Sequence, residues 1–148
     1  MSGQFNHNIQ DVGGISGLLK RHGINPTVQR LEIARILFAR PQHLSAEQVL
    51  NTIDPAKASV SKATVYNTLN LFAEKGLVRQ VIVDPNRIFY DSNTDTHYHF
   101  YNQDTGELMD LDVNEFVIDG MPEIPENTYQ CGVDVIVHIK NKPLTTSD

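Results

Sequence analysis

The stretch from Asp91 to Asp112, DSNTDTHYHFYNQDTGELMDLD, concentrates acids and imidazoles in a short span. His97 and His99 are two residues apart, so on a strand they share a face. Gln103-Asp104-Thr105-Gly106 is a turn signal between two strand-like runs. Pairing Asn102 with Glu107 across a four-residue loop puts His99 opposite Asp110 and His97 opposite Asp112. Cross-strand partners have Cβ atoms about 5 Å apart. Two imidazoles and at least one carboxylate then converge without any tertiary assumption. Such a mixed nitrogen and oxygen set suits Fe²⁺, Mn²⁺ or Zn²⁺ and needs no sulfur. The plainer alternative is a polar strand face half in water.

The chain that must carry this hairpin has 148 residues, 40% of them hydrophobic, enough for one domain or two small ones with a real core. No apolar run approaches the roughly 20 residues of a membrane span. The N-terminus, MSGQFNHNIQD, lacks the apolar segment of a signal peptide. Cys131 is the only cysteine, so no internal disulfide forms, which fits a reducing cytoplasm. The net charge of −6 is unevenly spread. Residues 1–91 hold ten Lys/Arg and seven Asp/Glu, a balance of +3. Residues 92–148 hold two Lys and eleven Asp/Glu, a balance of −9. A mildly basic half joined to an acidic half reads as two modules with different partners, 1–91 and 92–148. The alternative is a surface charge that merely drifts along the chain.

The elements of the first half follow from periodicity and caps. Residues 1–12 read as a flexible tail, and Gly14–His22 as a short helix stopped by Gly23. Thr27–Ala39 is apolar around most of its circumference, as a central core helix would be. Ser45 is an N-cap for AEQVLNTI, which Asp54-Pro55 stops. Ser59–Lys75 contains the most informative helix, with Ser61 as N-cap and Gly76 as C′ residue. Val65, Leu69, Phe72 and Ala73 form its apolar face; Ala63, Asn67, Asn70 and Glu74 lie opposite, with Tyr66 at the border. Amides and small groups there suit base edges in a major groove: Asn can bond adenine bidentately, while Ala, Thr and Tyr can touch a thymine methyl. LVRQVIV and RIFYD flank Asp84-Pro85-Asn86-Arg87, giving a hairpin over about residues 77–91 with Arg79 and Arg87 on it. Helices followed by a hairpin is the order of a winged helix. The candidate DNA contacts are Lys20, Arg30, Ser61, Lys62, Thr64, Tyr66, Asn67, Asn70 and Arg87, the last at the wing tip near phosphate or the minor groove. A helical domain that binds protein instead of DNA has the same order.

In the second half, Asn114–Met121 reads as one short helix and Cys131–Lys140 as a strand with Val133, Val135, Val137 and Ile139 on one face. Residues 143–148 read as a flexible tail. The whole is α+β: a winged-helix DNA-binding domain plus a small C-terminal α/β domain. The second is too small to be comfortable alone, and its apolar strand is a candidate homodimer surface. A dimer suits a palindromic DNA site.

SKATVYNTLNLFAEKGLV, the wing and DSNTDTHYH together resemble the ferric uptake regulator (Fur) superfamily, from about Leu18 to Lys140. PQHLSAEQV adds to the likeness. MPEIPE and NTYQCGVDVIVHIKNK resemble the iron response regulator (Irr) group, and the chain also resembles the peroxide-responsive (PerR) group. The resemblance implies a five-ligand regulatory metal site: His43 in PQHLSAEQV, Asp91 six residues before His97, the His97/His99 pair, and Asp110. His43 and Asp91 rest on the resemblance alone. One ion held by all five would set the angle between the modules and so the spacing of two recognition helices in a dimer. Deprotonated imidazoles are needed, so metal binding should weaken below about pH 6.

The resemblance also implies no enzyme, no small-molecule substrate, no membrane partner, and double-stranded A·T-rich palindromic DNA as the target. Fe²⁺ or Mn²⁺ is the expected ion, with Zn²⁺ an alternative in purified protein. In the peroxide-sensing group, Fe²⁺ held by residues matching His43 and His97 leads to oxidation of those imidazoles. Several departures matter. Asn102 and Thr105 occupy the positions of a cysteine pair that holds structural zinc in many members, so a four-cysteine zinc site is impossible here. No Cys-Pro haem motif is present, although His97 and His99 could still ligate haem. Thr96 and Tyr98 flank the His pair, which gives no support to an additional His/Asp/Glu metal site. His7, His22 and His138 read as ordinary surface histidines. Two other functions are open on the residues alone. His-x-His plus an acid resembles the facial triad of a small non-haem iron enzyme, and a metal-independent winged-helix module needs no ligands at all.

Overall fold

The computed structural model describes residues 12–144, so the expected tail at 1–12, most of that at 143–148, and His7 lie outside or at the margin of the described residues. The chain divides into two compact units at Asp95/Thr96. Among the described residues no helix is long and apolar enough to cross a membrane.

The first unit packs four helices against a three-stranded sheet. α1 (Val12–Arg21) begins two residues earlier than the sequence suggests and buries Ile15 and Leu19. Gly23 takes φ +73° just beyond it, the left-handed conformation that ends a helix at little cost. α2 (Val28–Leu37) is capped by Thr27, whose hydroxyl accepts from the Arg30 N–H, and buries Ile33, Ala34, Ile36 and Leu37. It is shorter than the expected 27–39, because Thr27 is the cap and Phe38 the closing residue. Glu32 is also buried on α2, held by Arg35 through a two-pronged ion pair at 2.6 and 3.0 Å. α3 (Ala46–Thr52) starts with a full capping box between Ser45 and Gln48. α4 (Lys62–Glu74) is capped by Ser61, and Gly76 (φ +76°) turns the chain out of it. Val65, Leu69 and Phe72 of α4 are fully buried against the other helices, with Thr68 beside them.

A hairpin of β2 (Arg79–Asp84) and β3 (Arg87–Asp91) follows, turned at Pro85-Asn86 with the Asp84 carboxylate accepting from the Asn86 N–H. The sequence reading missed a third strand, β1 (His43–Ser45), which pairs with the free edge of β3 to give the order β1-β3-β2. Three residues are too few for a period-two signal, and Ser45 already reads as a helix cap.

The second unit is a three-stranded sheet of order β5-β4-β6. β4 (Tyr98–Asn102) and β5 (Leu108–Leu111) form an antiparallel hairpin in the register read from the turn, with His99 opposite Asp110. β6 (Ile136–Ile139) pairs parallel to β4. Two expectations are corrected. Asn114–Met121 is not a helix; only the single 3₁₀ turn Val113–Glu115 forms. The following Phe116-Val117-Ile118 is β-branched and aromatic, Gly120 takes φ +75°, and Pro122 follows, so a helix could neither nucleate nor extend. The strand expected over Cys131–Lys140 is confined to Ile136–Ile139, because its partner β4 begins at Tyr98 and pairing starts at His99–Ile136.

Candidate metal centre and nucleic-acid interface

The hairpin that carries the imidazoles is set by its turn. The Asn102 side-chain oxygen accepts from the Asp104 and Thr105 N–H groups at 2.9 and 3.1 Å, and Gly106 at φ +75° closes the loop onto the Asn102 carbonyl at 2.8 Å. Asn102 N donates to the Glu107 carbonyl, the first rung of the ladder. Counting back from that rung brings His99 against Asp110, while His97 lies just before the regular pairing and on the same face. The Nε2 atoms of His97 and His99 stand 3.5 and 3.4 Å from one Asp110 carboxylate oxygen, and the two rings are 4.5 Å apart at 61°. Both histidines are buried, whereas the Asp110 side chain is 61% exposed.

These separations fit an ion. Donors bound at about 2.1 Å to one tetrahedral centre stand about 3.4 Å apart. Each of the three residues offers one ligand atom, and these atoms lie within 4.8 Å of one another. Buried imidazole nitrogens with one carboxylate suit a borderline divalent metal, with solvent access on the Asp110 side.

His43 and Asp91 lie in the first unit. They are direct partners across β1 and β3, and Arg79 faces Asp91 from β2. Asp91 is 2% exposed, and its carboxylate accepts from the Asn93 N–H at 2.9 Å. His43 is half-buried and meets the Phe89 ring edge-on. The sequence holds no local signal for this pairing, since it depends on a three-residue strand and a partner far along the chain.

Helix α4 presents Ala63, Tyr66, Asn67, Asn70 and Glu74 to solvent, with Tyr66 41% exposed. A groove of about 270 Å³ runs beside it, lined by Thr27, Gln29 and Arg30 of the α2 start and by Thr64, Asn67, Thr68 and Leu71. The sequence reading missed Gln29, whose side chain donates to the Ser59 carbonyl at 2.9 Å and ties the start of α2 to the approach to α4. The Ser61 hydroxyl is engaged by Thr64, accepting its N–H at 3.1 Å and meeting its hydroxyl at 2.9 Å. Lys62 is exposed in the first turn of α4 and Lys20 in the last turn of α1. Arg30 donates to the Asn25 carbonyl at 3.0 Å on the groove wall. Arg87 sits at the wing tip with Asp84 3.8 Å away. Asn70 differs from its neighbours: its side-chain oxygen accepts from the Tyr90 hydroxyl at 2.7 Å and from Gln80 Nε2 at 3.1 Å. Burial pushes the Tyr90 hydroxyl above its ordinary pKa, so it stands there as a protonated donor.

Residues 21–135 match the family model described as the ferric uptake regulator family. The peroxide-responsive repressor PerR of Staphylococcus aureus (strain Mu50) is 32% identical over 93 residues, covering 63% of this chain and 63% of that protein. The chain therefore spans less than two thirds of the length of this curated relative. Among solved structures, the ferric uptake regulator of Vibrio cholerae superimposes with a TM-score of 0.66 at 24% identity, over 86% of this chain and 99% of that one. The ferric uptake regulator of Pseudomonas aeruginosa with manganese gives 0.63 at 23%, over 86% and 98%. At these identities the likeness establishes an α+β fold with a winged-helix first domain.

Proposed function

Because the chain belongs to the ferric uptake regulator family, we propose that it is a metal-responsive, dimeric DNA-binding transcription regulator of iron or peroxide responses. It acts in the cytoplasm on A·T-rich palindromic operators. The observation that carries this reading is the convergence of His97, His99 and Asp110 at metal-ligand spacing, in a chain whose other unit exposes a polar helix face beside a hairpin.

In this reading His97, His99 and Asp110 hold one divalent ion together with His43 and Asp91, which are cross-strand neighbours. Fe²⁺ or Mn²⁺ is the physiological ion, and Zn²⁺ competes in purified protein. The bound ion supplies a positive centre that two carboxylates offset and three neutral imidazoles complete. Buried His97 and His99 exclude water from the centre, and Asp110 is the exposed ligand that admits the ion. His43 and Asp91 sit on the sheet that backs α4, so a loaded site favours one disposition of that sheet. DNA affinity then responds to metal because the two arrangements bind it unequally. Ser61 and Thr64 start the recognition helix; Tyr66 and Asn67 meet base edges; Lys20, Arg30, Lys62 and Arg87 meet phosphates. The 92–148 half forms the dimer, and the apolar residues left exposed there, including Val117 and Tyr129, contribute surface to it.

Fluorescence anisotropy on an A·T-rich palindromic duplex, with and without Mn²⁺ at fixed salt, tests the proposal. A change in affinity of about tenfold or more in either direction supports metal-responsive DNA binding. Specific binding that ignores Mn²⁺ would assign a metal-independent DNA-binding module. Absence of specific binding on randomised duplexes, with turnover of an oxidisable substrate by the Fe²⁺ form, would assign the iron-enzyme alternative.

A further inference from the structure

We propose that Tyr90 is the positioning residue that links the His43–Asp91 strand pair to the recognition helix α4, through Asn70. This rests on the metal-responsive reading above and says how the response crosses the first unit.

The sheet holds two adjacent rows. His43, Asp91 and Arg79 are aligned across β1, β3 and β2; the next row is Leu44, Tyr90 and Gln80. Successive residues of a strand point to opposite faces. Asp91 and Tyr90 are consecutive, so the row bearing the candidate ligands and the row facing α4 are the two sides of the same strands. Tyr90 is 1% exposed and belongs to the helical core. It ends in a 2.7 Å hydrogen bond to the Asn70 side-chain oxygen, which Gln80, its cross-strand partner, also bonds at 3.1 Å. Two donors from one row thus grip one acceptor on the helix. A displacement of β3 at Asp91 is passed by a rigid, packed ring to the middle of α4.

The same grip changes the role of Asn70. Bidentate adenine recognition needs the carboxamide oxygen as acceptor and its nitrogen as donor together. A carboxamide oxygen has two lone pairs, and here both are matched by donors. Asn70 therefore sets the helix against the wing, and base reading falls to Tyr66 and Asn67.

The test uses the full chain. Tyr90→Phe keeps the ring and removes the donor; Asn70→Ala removes the acceptor from an exposed helix position and leaves the apolar core side chains unchanged. Mn²⁺ affinity is measured by calorimetry, and DNA affinity by anisotropy with and without Mn²⁺. The expected result is Mn²⁺ affinity within about twofold of the parent in both variants, while a roughly tenfold effect of Mn²⁺ on DNA affinity falls to threefold or less. The double variant should lose no more than Asn70→Ala alone, because both changes cut one connection. A Tyr90→Phe protein with the full Mn²⁺ effect, additive losses, or an equal loss of DNA affinity with and without Mn²⁺ overturns the link. If Tyr90→Phe does not fold, Asn70→Ala decides: loss of preference at one operator base pair with the Mn²⁺ effect intact makes Asn70 a base reader and sinks the proposal. A parent protein whose DNA affinity ignores Mn²⁺ overturns the underlying reading, and this link with it.

Discussion

His99 is buried and rigidly placed by a paired strand, while Asp110 opposite it keeps most of its carboxylate in water. In the proposed metal site that asymmetry separates holding an ion from admitting it. Replacing His97 and His99 with Ala should weaken Mn²⁺ binding far beyond tenfold, more than about 1.4 kcal/mol; calorimetric binding at the parent strength would sink the ligand assignment. Tyr90 gives a pH test of a different kind. Its hydroxyl is held above the ordinary value near 10 chiefly by burial. A group whose pKa is raised on folding contributes stability that is present below its unfolded pKa and is lost as pH rises through the folded one. Urea midpoints should therefore fall above about pH 10, and Tyr90→Phe should flatten that fall. An equal decline in both proteins would place the alkaline sensitivity elsewhere. At this scale the sequence was informative wherever a residue acts locally: Ser61 and Gly76 read correctly as helix signals. Asn70 did not, because its hydrogen bonds come from residues ten and twenty positions away.

Hairpins and helices were legible in proportion to how much of their stabilisation is local. The β4–β5 register follows from one turn and one rung, and it brings His99 to Asp110 as counted. β1 was invisible because a three-residue strand exists only by virtue of β3. The segment after Leu111 misled for the opposite reason: Asn114–Met121 reads as one short helix, but a helix there would have little to pack on, since Val117 is 82% exposed. The β4–β5 turn has its own fastening. Asn102 not only accepts from Asp104 and Thr105 but donates to the Asn141 side chain at 2.8 Å, and the Asn141 N–H donates to Asp104 at 2.8 Å. This amide clasp ties the chain beyond β6 to the turn. Asn102→Ala removes three hydrogen bonds at once, two accepted from the turn and one donated to Asn141, and should cost about 1–3 kcal/mol, read as a lower thermal midpoint with and without chelator. A variant destabilised only after chelation would mean that metal, not the amide, fastens the turn.

For the whole molecule, the charge division seen in the sequence leaves the proposed DNA contact to the first half. With −9 on residues 92–148, phosphate neutralisation must come from a few cations on the helical unit. The turn that carries Arg87 was legible in the sequence; the disposition of two copies on a duplex was not, because it depends on surfaces that have no partner within one chain. Salt dependence reads that disposition directly. Lys20, Arg30, Lys62 and Arg87 supply four candidate phosphate contacts per protomer. Each neutralised phosphate releases counterion, so log K should fall with log salt at a slope of about −0.9 per contact. A dimer engaging all eight should approach about −7, and one protomer alone about −4. Lys62→Ala should reduce the dimer slope by about two, one for each half-site, with little change in sequence preference. A slope near zero would remove phosphate contact as the source of affinity. A parent slope near −4 that drops by one in the variant would mean that a single protomer meets each duplex, and the palindrome would then have no role in recognition.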